Sequence, residues 1–389
     1  MASHGGLAEI LRSFGPAYLA THTLSLGEAK AWRAILACRS PALGGHLECC
    51  DHCGALRRVY HSCRNRHCPR CQTRAKQAWL WARQRELLPV PYFHLVFTLP
   101  HALNGLIAWQ PRTLYRCLFA AVSSTLCEFA ANPRRLGGEP AFTLVLHTWK
   151  QDLGRHVHVH ALVAGGALTT AGQWVSPKPG FLFPVKALST VFRGKFVAAL
   201  EQQRTHAPVR ENTALTNTAW CELKHQLYLH DWVVYAKQPL GGPAQVLEYL
   251  GRYTHRVAIS NERIVAINPS EVAFRVRLNA QGGGKKRTLR LPGTEFIKRF
   301  VRHILPRGFK RIRHYGLLGP AHKSARLAQA RTALGAPQPE PALIESVAAF
   351  MQRVANIEWA ACPHCRLGQF KVLQGIAPQP RWQHAHGPP

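Results

Sequence analysis

The sequence predicts an α+β protein, in which a helical, cysteine-rich N-terminal module precedes a central antiparallel sheet backed by helices. Three observations lead to this prediction. Apolar residues recur at helical spacing in residues 1–37, cysteines concentrate in residues 38–71, and apolar or alternating runs typical of strands follow them. A chain of 389 residues is long enough for two or three domains. We expect the divisions 1–88, 89–316 and 317–389.

The elements after the cysteines follow the same patterns in chain order. Pro100 ends the strand predicted over 92–99, and Pro243 stands near the start of the helix predicted over 243–256. In the hairpin 272–291, Phe274, Val276 and Leu278 alternate with Arg275 and Arg277, so the arginines are predicted to face outward. Helices are predicted at 72–88, 105–131, 185–205 and 243–256, strands at 92–99, 141–149, 156–166 and 227–237, a linker at 335–341 and a disordered tail over the last dozen residues.

The charge balance indicates the kind of partner. Fifty Lys and Arg residues against nineteen Asp and Glu give a formal net charge of +31. A chain this basic attracts polyanions, and nucleic acid is the first candidate. We find no secretory leader, no apolar stretch long enough to cross a bilayer and no separate basic amphipathic helix. The expectation is a cytoplasmic, nucleoid-associated bacterial protein that binds DNA and no membrane.

The segment CCDHCGALRRVYHSCRNRHCPRCQ carries the strongest metal signal. Cys50 and Cys53 form one CxxC pair, and Cys68 and Cys71 form another. Two such pairs can supply four thiolates to one tetrahedral Zn²⁺, and a closed site of this kind is structural. Four free buried cysteines are the alternative. Further candidate ligands are Cys49, Cys63 and His67.

A third pair, Cys362 and Cys365, stands near the C-terminus in ACPHCRLGQ. It has no evident partner pair in the sequence. It either takes ligands from elsewhere in the chain or is a solitary turn.

The stretch GRHVHVHALV places three histidines at every second position. In a strand, His156, His158 and His160 share one face, while Val157 and Val159 point to the other. Imidazoles spaced in this way can bind one cation from the same side, since their pKa lies near neutrality. A polar outer face of an edge strand is the alternative. The spacing leaves open which of the three histidines bind.

Two tyrosines in EYLGRYTHR are candidate nucleophiles. Tyr249 and Tyr253 stand four residues apart, which places them about one turn apart on a helix. An aromatic stripe packed in the core is the commoner meaning of this spacing. The neighbouring Arg252 and Arg256 instead favour an anion-binding setting. A phenol with a pKa near 10 becomes an effective nucleophile when a cation neutralises the phosphate that it attacks.

Taken together, SCRNRHCPRCQ, HVHVHALVAGG and VLEYLGRYTHRVAISNERI resemble the rolling-circle transposases of the IS91 type, which are HUH endonucleases of the two-tyrosine class. The name HUH stands for histidine, hydrophobic residue, histidine. The resemblance covers residues 10–316 and implies an N-terminal transposase zinc-binding domain followed by an HUH-type catalytic domain. By this resemblance, His158 and His160 form the HUH pair, and Tyr249 and Tyr253 are the nucleophiles.

The family mechanism implies Mg²⁺ or Mn²⁺ at the histidines. It also implies a 5′-phosphotyrosine intermediate at a single-stranded transposon end, followed by transfer to target DNA. Imidazole ligands favour Mn²⁺ or another transition ion over Mg²⁺. The third ligand stays open, with His156, Gln151 and His94 as candidates.

We expect the DNA to lie along the basic residues of four segments. These are the N-terminal cysteine-rich segment, the segment of the two tyrosines, the hairpin 272–291 and residues 298–316. Two other functions compete with the transposase. One is a non-catalytic, zinc-dependent DNA-binding regulator, and the other is a replication initiator or relaxase that uses the same HUH chemistry. The candidate DNA-binding residues are Arg64, Arg66, Arg70, Arg252, Arg256, Arg275, Arg277, Lys298, Arg299, Arg302, Lys310, Arg311 and Arg313.

Overall fold

A computed structural model describes residues 6–71, 76, 79–80, 82–206, 216–240, 245, 251, 258–277, 286–339, 349 and 361–379. The helices are α1 (Leu7–Leu19), α2 (Leu26–Ala37), α3 (Asn104–Trp109), α4 (Pro111–Ala131), α5 (Val185–His206), α6 (Asn217–Tyr228), α7 (Gly293–Val301) and α8 (Lys323–Ala333). The strands are β1 (Gly45–Cys50), β2 (Leu56–Tyr60), β3 (Tyr92–Thr98), β4 (Glu139–Trp149), β5 (Arg155–Leu168), β6 (Trp174–Val175), β7 (Val234–Leu240), β8 (Ile264–Ile267), β9 (Glu271–Arg277), β10 (Lys286–Pro292), β11 (Ile312–Gly316) and β12 (Phe370–Ile376).

Local sequence explains where several helices begin. Helix α2 starts with a capping box, in which the Ser25 hydroxyl accepts from the Glu28 amide and the Glu28 carboxylate accepts from the Ser25 amide. Helix α4 has Pro111 in its first turn, where a missing N–H costs nothing. At α6 the Thr216 hydroxyl accepts from the Ala219 amide.

The central sheet is antiparallel, with the order β11-β4-β5-β3-β7, and β6 pairs with one end of β5. Strand β5 is the middle of this order. The expected central sheet with the histidine strand at its centre is therefore present. On one face, Val157, Val159 and Phe97 pack against Phe119 of α4 and Phe192 of α5. These helices back the sheet and bury its largest apolar core.

The opposite face of the sheet is divided between apolar and polar residues. At one end, Val145, Leu162 and Ala164 pack against Leu327 of α8 and Leu317. At the other end, the same face carries histidines. The sequence of this face therefore changes from apolar to polar along the strands, and His147 and His160 are buried there.

Two small sheets flank the central one. In the first, β8-β9-β10, Phe274 and Val276 are buried with Phe296 of α7, and α1 packs on the same core. Arg275 and Arg277 are exposed, as the alternation predicts. In the second, the order is β12-β1-β2. Strand β12 was not predicted, and it brings the C-terminal part of the chain onto the cysteine-rich segment.

The predicted elements agree with the described ones at most positions. One difference is the strand predicted over 227–237, where α6 runs to Tyr228 and the strand begins only at Val234. The predicted helix 72–88 is described only in part, and of the predicted helix 243–256 only residues 245 and 251 are described. Residues 380–389 of the predicted tail lie outside the described residues.

We expected no apolar stretch long enough to cross a bilayer, and one helix does not agree with this expectation. Among the described ranges, Pro111–Ala131 is long and apolar enough to cross a bilayer. Of its most apolar window, 67% is buried inside the fold, where Leu118, Val122 and Leu126 pack on the sheet.

Candidate functional site

Three imidazoles converge on the face of the central sheet that lies opposite α4 and α5. His158 and His160 lie on that face because they are two residues apart on β5. The register of β4 with β5 places His147 directly opposite His158. The three ligand nitrogens lie within 4.8 Å of one another. We call these three residues the histidine triad.

The spacing of the triad nitrogens fits one metal ion. Nε2 of His160 lies 3.1 Å from Nε2 of His158 and 3.1 Å from Nδ1 of His147. With metal–nitrogen bonds of about 2.1 Å, ligands at right angles stand about 3.0 Å apart and tetrahedral ligands about 3.4 Å apart. Both spacings of 3.1 Å lie within this range, so the triad could hold one metal ion.

Burial keeps His158 and His160 neutral. It lowers the pKa of His158 to about 3, with a further lowering by the neighbouring His156. Burial also holds the pKa of His160 well below its usual value, and His147 and His158 add to this effect. Uncharged imidazoles keep a lone pair on nitrogen, which is what a metal ion requires.

Neighbouring groups orient His158 and His160. Nδ1 of His158 lies 3.1 Å from the carbonyl oxygen of His156 and donates to it, which leaves Nε2 as the ligand atom. Nδ1 of His160 lies 2.8 Å from Nε2 of His94, whose ring stacks on it with 5.1 Å between centroids. His94 comes from β3, the next strand in the sheet. Outer contacts of this kind fix the ring orientation of metal ligands.

The three candidates for the third ligand take other positions. His156 shares the face of His158, but its Nδ1 lies 3.4 Å from Nε2 of His101 and it is not part of the triad. His94 contacts His160 from outside the triad. Gln151 lies in the turn between β4 and β5, where its carbonyl accepts from Arg263. The geometry instead brings in His147, which the sequence reasoning missed.

The cysteines form two separate groups. Cys38, Cys63, Cys68 and Cys71 constitute the first cysteine quartet. Sγ of Cys71 lies 3.5 Å from Sγ of Cys38 and 3.6 Å from Sγ of Cys63. Four thiolates about 2.3 Å from a zinc ion stand about 3.8 Å apart, whereas a disulfide joins sulfurs about 2.05 Å apart. The first quartet therefore has the dimensions of a four-thiolate zinc site.

The predicted quartet of Cys50, Cys53, Cys68 and Cys71 was wrong as a single group. Cys50 ends β1 and Cys53 lies in the turn before β2, and both face the C-terminal pair Cys362 and Cys365. The knuckle at 68–71 instead meets Cys63 and Cys38, which caps the end of α2. Cys38 was missed because it stands alone, before the cysteine-rich motif.

His67 and Arg66 join the segment of the first quartet to residues 305–309. Nε2 of His67 accepts from the Leu305 amide at 3.1 Å, and burial lowers the pKa of His67 to about 3, so His67 is outside both cysteine groups. The Arg66 guanidinium donates to the carbonyl oxygens of Pro306 and Phe309. The predicted roles of His67 in zinc binding and of Arg66 in DNA binding do not fit these contacts.

The other predicted DNA-binding residues divide by exposure. Arg299 pairs with Glu295, and Arg313 stacks on the Phe119 ring at 4.1 Å, so both have internal partners. Lys298 and Arg311 are half-buried. Tyr249, Tyr253, Arg252 and Arg256 lie outside the described residues. The exposed cations of the predicted set are Arg64, Arg70, Arg275, Arg277, Arg302 and Lys310.

Two family models and two relatives match this chain. Residues 10–99 match the family model of a transposase zinc-binding domain, and residues 141–326 match that of a putative transposase. The putative transposase y4qJ of Sinorhizobium fredii is 43% identical over 388 residues, covering 96% of this chain and 97% of the relative. The transposase for insertion sequence element IS801 of Pseudomonas savastanoi pv. phaseolicola is 26% identical over 361 residues, covering 90% of this chain and 85% of the relative.

No solved structure matches this chain. The two family models and the near full-length relatives confirm the resemblance drawn from the sequence. A transposase acts on DNA, which agrees with the net charge of +31. The chain therefore belongs to the IS91 family of transposases.

Proposed function

We propose that this transposase is an HUH single-stranded DNA endonuclease and strand transferase. It nicks single-stranded transposon ends and transfers them to target DNA by a rolling-circle mechanism through a 5′-phosphotyrosine. The observation that carries this proposal is the histidine triad, in which imidazoles from β4 and β5 meet on one face of the sheet.

The triad would hold the catalytic ion. The donor set fits a divalent transition ion, so Mn²⁺ is favoured and Mg²⁺ is the alternative. When bound, such an ion neutralises the scissile phosphate and stabilises the charge that develops on it. His94 would keep the ring of His160 turned toward the ion, since it holds Nδ1 of His160 at 2.8 Å.

Tyr249 and Tyr253 are the proposed nucleophiles. The phenol oxygen of one tyrosine loses its proton and attacks phosphorus, a P–O bond to tyrosine forms, and the P–O bond to the 3′ oxygen breaks. The leaving oxygen takes up a proton and becomes a 3′-OH that can prime replication. A second tyrosine allows a further cleavage while the first is occupied, and the phosphotyrosine conserves the bond energy for transfer.

Gly251 stands between the two tyrosines in the sequence, and its contacts support their proposed role at the metal site. Gly251 is buried, and a Cβ built on it would lie 2.7 Å from Cδ1 of Leu80 and from Cε of Lys76. Leu80 in turn packs against the apolar residues, including Leu162 and Val145, on the triad-bearing face of the sheet. Gly251 thus contacts a residue that packs on the same face of the sheet as the proposed metal site.

Zinc would have a structural role in the N-terminal domain. The first cysteine quartet has no open coordination position once four thiolates bind, so it supplies no reaction chemistry. We place single-stranded DNA near the exposed Arg64, Arg275 and Arg277. The chain would act at the nucleoid in the bacterial cytoplasm, where its DNA substrate lies.

The test is the formation of a covalent adduct. Full-length protein is incubated with Mn²⁺ and labelled single-stranded DNA that carries the ends of its own element, and the products are separated under denaturing conditions. We expect a protein–DNA band that resists denaturant, and loss of that band in the Tyr249→Phe/Tyr253→Phe double variant. The His158→Ala/His160→Ala variant should also lose the band but still shift DNA in a native gel.

Other outcomes favour the competing functions. DNA binding without an adduct, under Mg²⁺ or Mn²⁺, would favour a non-catalytic regulator. An adduct without mobility of a marked element in cells would favour a replication initiator or relaxase with the same chemistry. An adduct that persists in the double tyrosine variant would overturn the assignment of the nucleophiles.

A further inference from the structure

The C-terminal CxxC pair meets the N-terminal one in space. Cys50, Cys53, Cys362 and Cys365 constitute the second cysteine quartet, and their sulfur atoms lie within 4.8 Å of one another. Sγ of Cys50 lies 3.7 Å from Sγ of Cys365, and Sγ of Cys53 lies 3.7 Å from Sγ of Cys362. Both distances are close to the edge of about 3.8 Å for a tetrahedral four-thiolate zinc site.

We propose that the second cysteine quartet binds a second structural Zn²⁺, which clasps the C-terminal segment 361–376 to the N-terminal hairpin of β1 and β2. Two of its ligands lie far beyond residue 99, where the matched zinc-binding segment ends. The proposal does not depend on the strand-transfer chemistry.

The backbone around the quartet has the form of two metal knuckles. In the first, the Gly54 amide donates to the Cys50 carbonyl, which tightens the turn that carries Cys53. In the second, the Arg366 amide donates to the Cys362 carbonyl, and the Gly368 amide donates to Sγ of Cys365 at 3.4 Å. Amide donors of this kind stabilise a metal-bound thiolate.

The two knuckles approach each other closely at Gly368. A Cβ built on Gly368 would lie only 2.5 Å from Sγ of Cys50. A side chain at this position would therefore push the C-terminal knuckle away from the N-terminal one. The glycine is required here by the close approach of the two knuckles, which a bound ion would explain.

Weaker contacts continue from the quartet into the sheet. Cys50 pairs with Phe370 in the register of β1 with β12. Asp51 accepts from the Gln369 amide and pairs with Lys371, and the Arg57 guanidinium lies 3.9 Å from the centre of the Phe370 ring. Most of the β12 side chains are exposed, so little apolar burial holds this strand in place. A four-thiolate ion supplies the missing attachment, because its binding energy becomes folding energy.

The central measurement is zinc content in the reduced, full-length protein. We expect about two zinc ions per chain for a protein with two four-thiolate sites. The Cys362→Ser/Cys365→Ser variant should retain about one ion, and so should the Cys38→Ser/Cys63→Ser variant. Cys221→Ser removes an exposed cysteine of α6 outside both quartets, and this matched control should retain both ions.

A second measurement needs no variant and therefore does not depend on whether a variant folds. Cys53 and Cys221 are both exposed, so an alkylating reagent should reach both when no metal is bound. With zinc bound, we expect Cys53 to react about 10-fold or more slowly than Cys221, because a metal-bound thiolate is protected. Stripping the zinc with a chelator should make their rates similar.

The same data can overturn the proposal. One zinc per wild-type chain, together with Cys53 reacting as fast as Cys221, would show that the second quartet holds no ion. Retention of both ions in the Cys362→Ser/Cys365→Ser variant would also reject it. Neither measurement involves DNA, so failure here is distinguishable from failure of the proposed strand transfer.

Discussion

His147 and His158 face each other across β4 and β5, and both turn toward Nε2 of His160. This cross-strand pair converts an alternating histidine strand into a three-nitrogen site. A strand by itself supplies nitrogens in one row. The neighbouring strand adds a nitrogen outside this row. A single ion needs ligands that surround it from more than one direction.

The role of His147 can be tested against that of His156. His147→Ala removes a triad nitrogen, so we expect adduct formation to fall by about 100-fold or more, the size of effect seen when one strong transition-state contact is lost. His156→Ala removes a histidine from the same face that lies outside the triad, and it should retain most of the activity. The measurement is the initial rate of adduct formation at saturating Mn²⁺. Equal losses in the two variants would count against His147 as the third ligand.

His94 should act through His160. His94→Ala removes the ring that lies 2.8 Å from Nδ1 of His160, while all three triad nitrogens remain. We expect the Mn²⁺ concentration needed for half-maximal cleavage to rise about 10–100-fold, as for other residues that orient a ligand. Cleavage should recover at high Mn²⁺. A rate that stays low at every metal concentration would place His94 in direct contact with the reacting groups.

Two arginines that are separated by one residue should behave differently. Arg64 is exposed, whereas Arg66 donates to the carbonyls of Pro306 and Phe309. Arg66→Ala should lower the free energy of unfolding by about 2–3 kcal/mol, since it leaves buried carbonyls without a charged donor. Arg64→Ala should leave stability unchanged. Urea denaturation of the zinc-loaded protein measures the free energy of unfolding of each variant. Equal stability of the two variants would show that the Arg66 hydrogen bonds to residues 306 and 309 do not stabilise the fold.

DNA binding should depend on the exposed arginines of β9. Arg275 and Arg277 point away from the core of the small sheet. Each phosphate contact that is lost should reduce the slope of log affinity against log salt by about 0.7 for single-stranded DNA. We therefore expect the Arg275→Ala/Arg277→Ala variant to bind more weakly and with less salt dependence. An unchanged salt slope would place the DNA elsewhere.

His303 should make folding sensitive to acid. Its Nε2 donates to the Leu153 carbonyl, its Nδ1 accepts from the Thr148 hydroxyl, and burial lowers its pKa to about 4. The unfolded chain, with a His pKa near 6.5, binds the proton more readily. This contribution to stability is therefore complete above pH 6.5 and is lost as the pH falls toward 4.

The free energy of unfolding that His303 contributes should fall by about 3 kcal/mol between pH 6.5 and pH 4. His303→Gln cannot titrate, so its free energy of unfolding should change less between pH 6.5 and pH 4 than that of the wild type. Urea denaturation at a series of pH values measures both proteins. Parallel curves for the two proteins would contradict the neutral, doubly bonded state of His303.

Much of the fold could be predicted from local patterns. The helices α1, α2 and α5, the strands β3 to β5 and the hairpin of β9 and β10 follow from apolar spacing, since each buries one face. The end of α6 and the start of β7 were misplaced, because Leu227 and Tyr228 are apolar enough for either structure. Strand β12 was missed because most of its side chains are exposed and show no alternation.

The sequence by itself determined which residue types carry the chemistry and that His158 and His160 share a face, because alternation along a strand is a local rule. The tertiary structure alone decided which residues meet. A register irregularity between His147 and Trp149 sets His147 opposite His158, whereas an unbroken register from the pair Trp149 and Arg155 would set it opposite Val157. The second cysteine quartet likewise joins residues more than 300 positions apart. Ligands from separate elements converge through packing and strand pairing, and spacing along the chain does not record either.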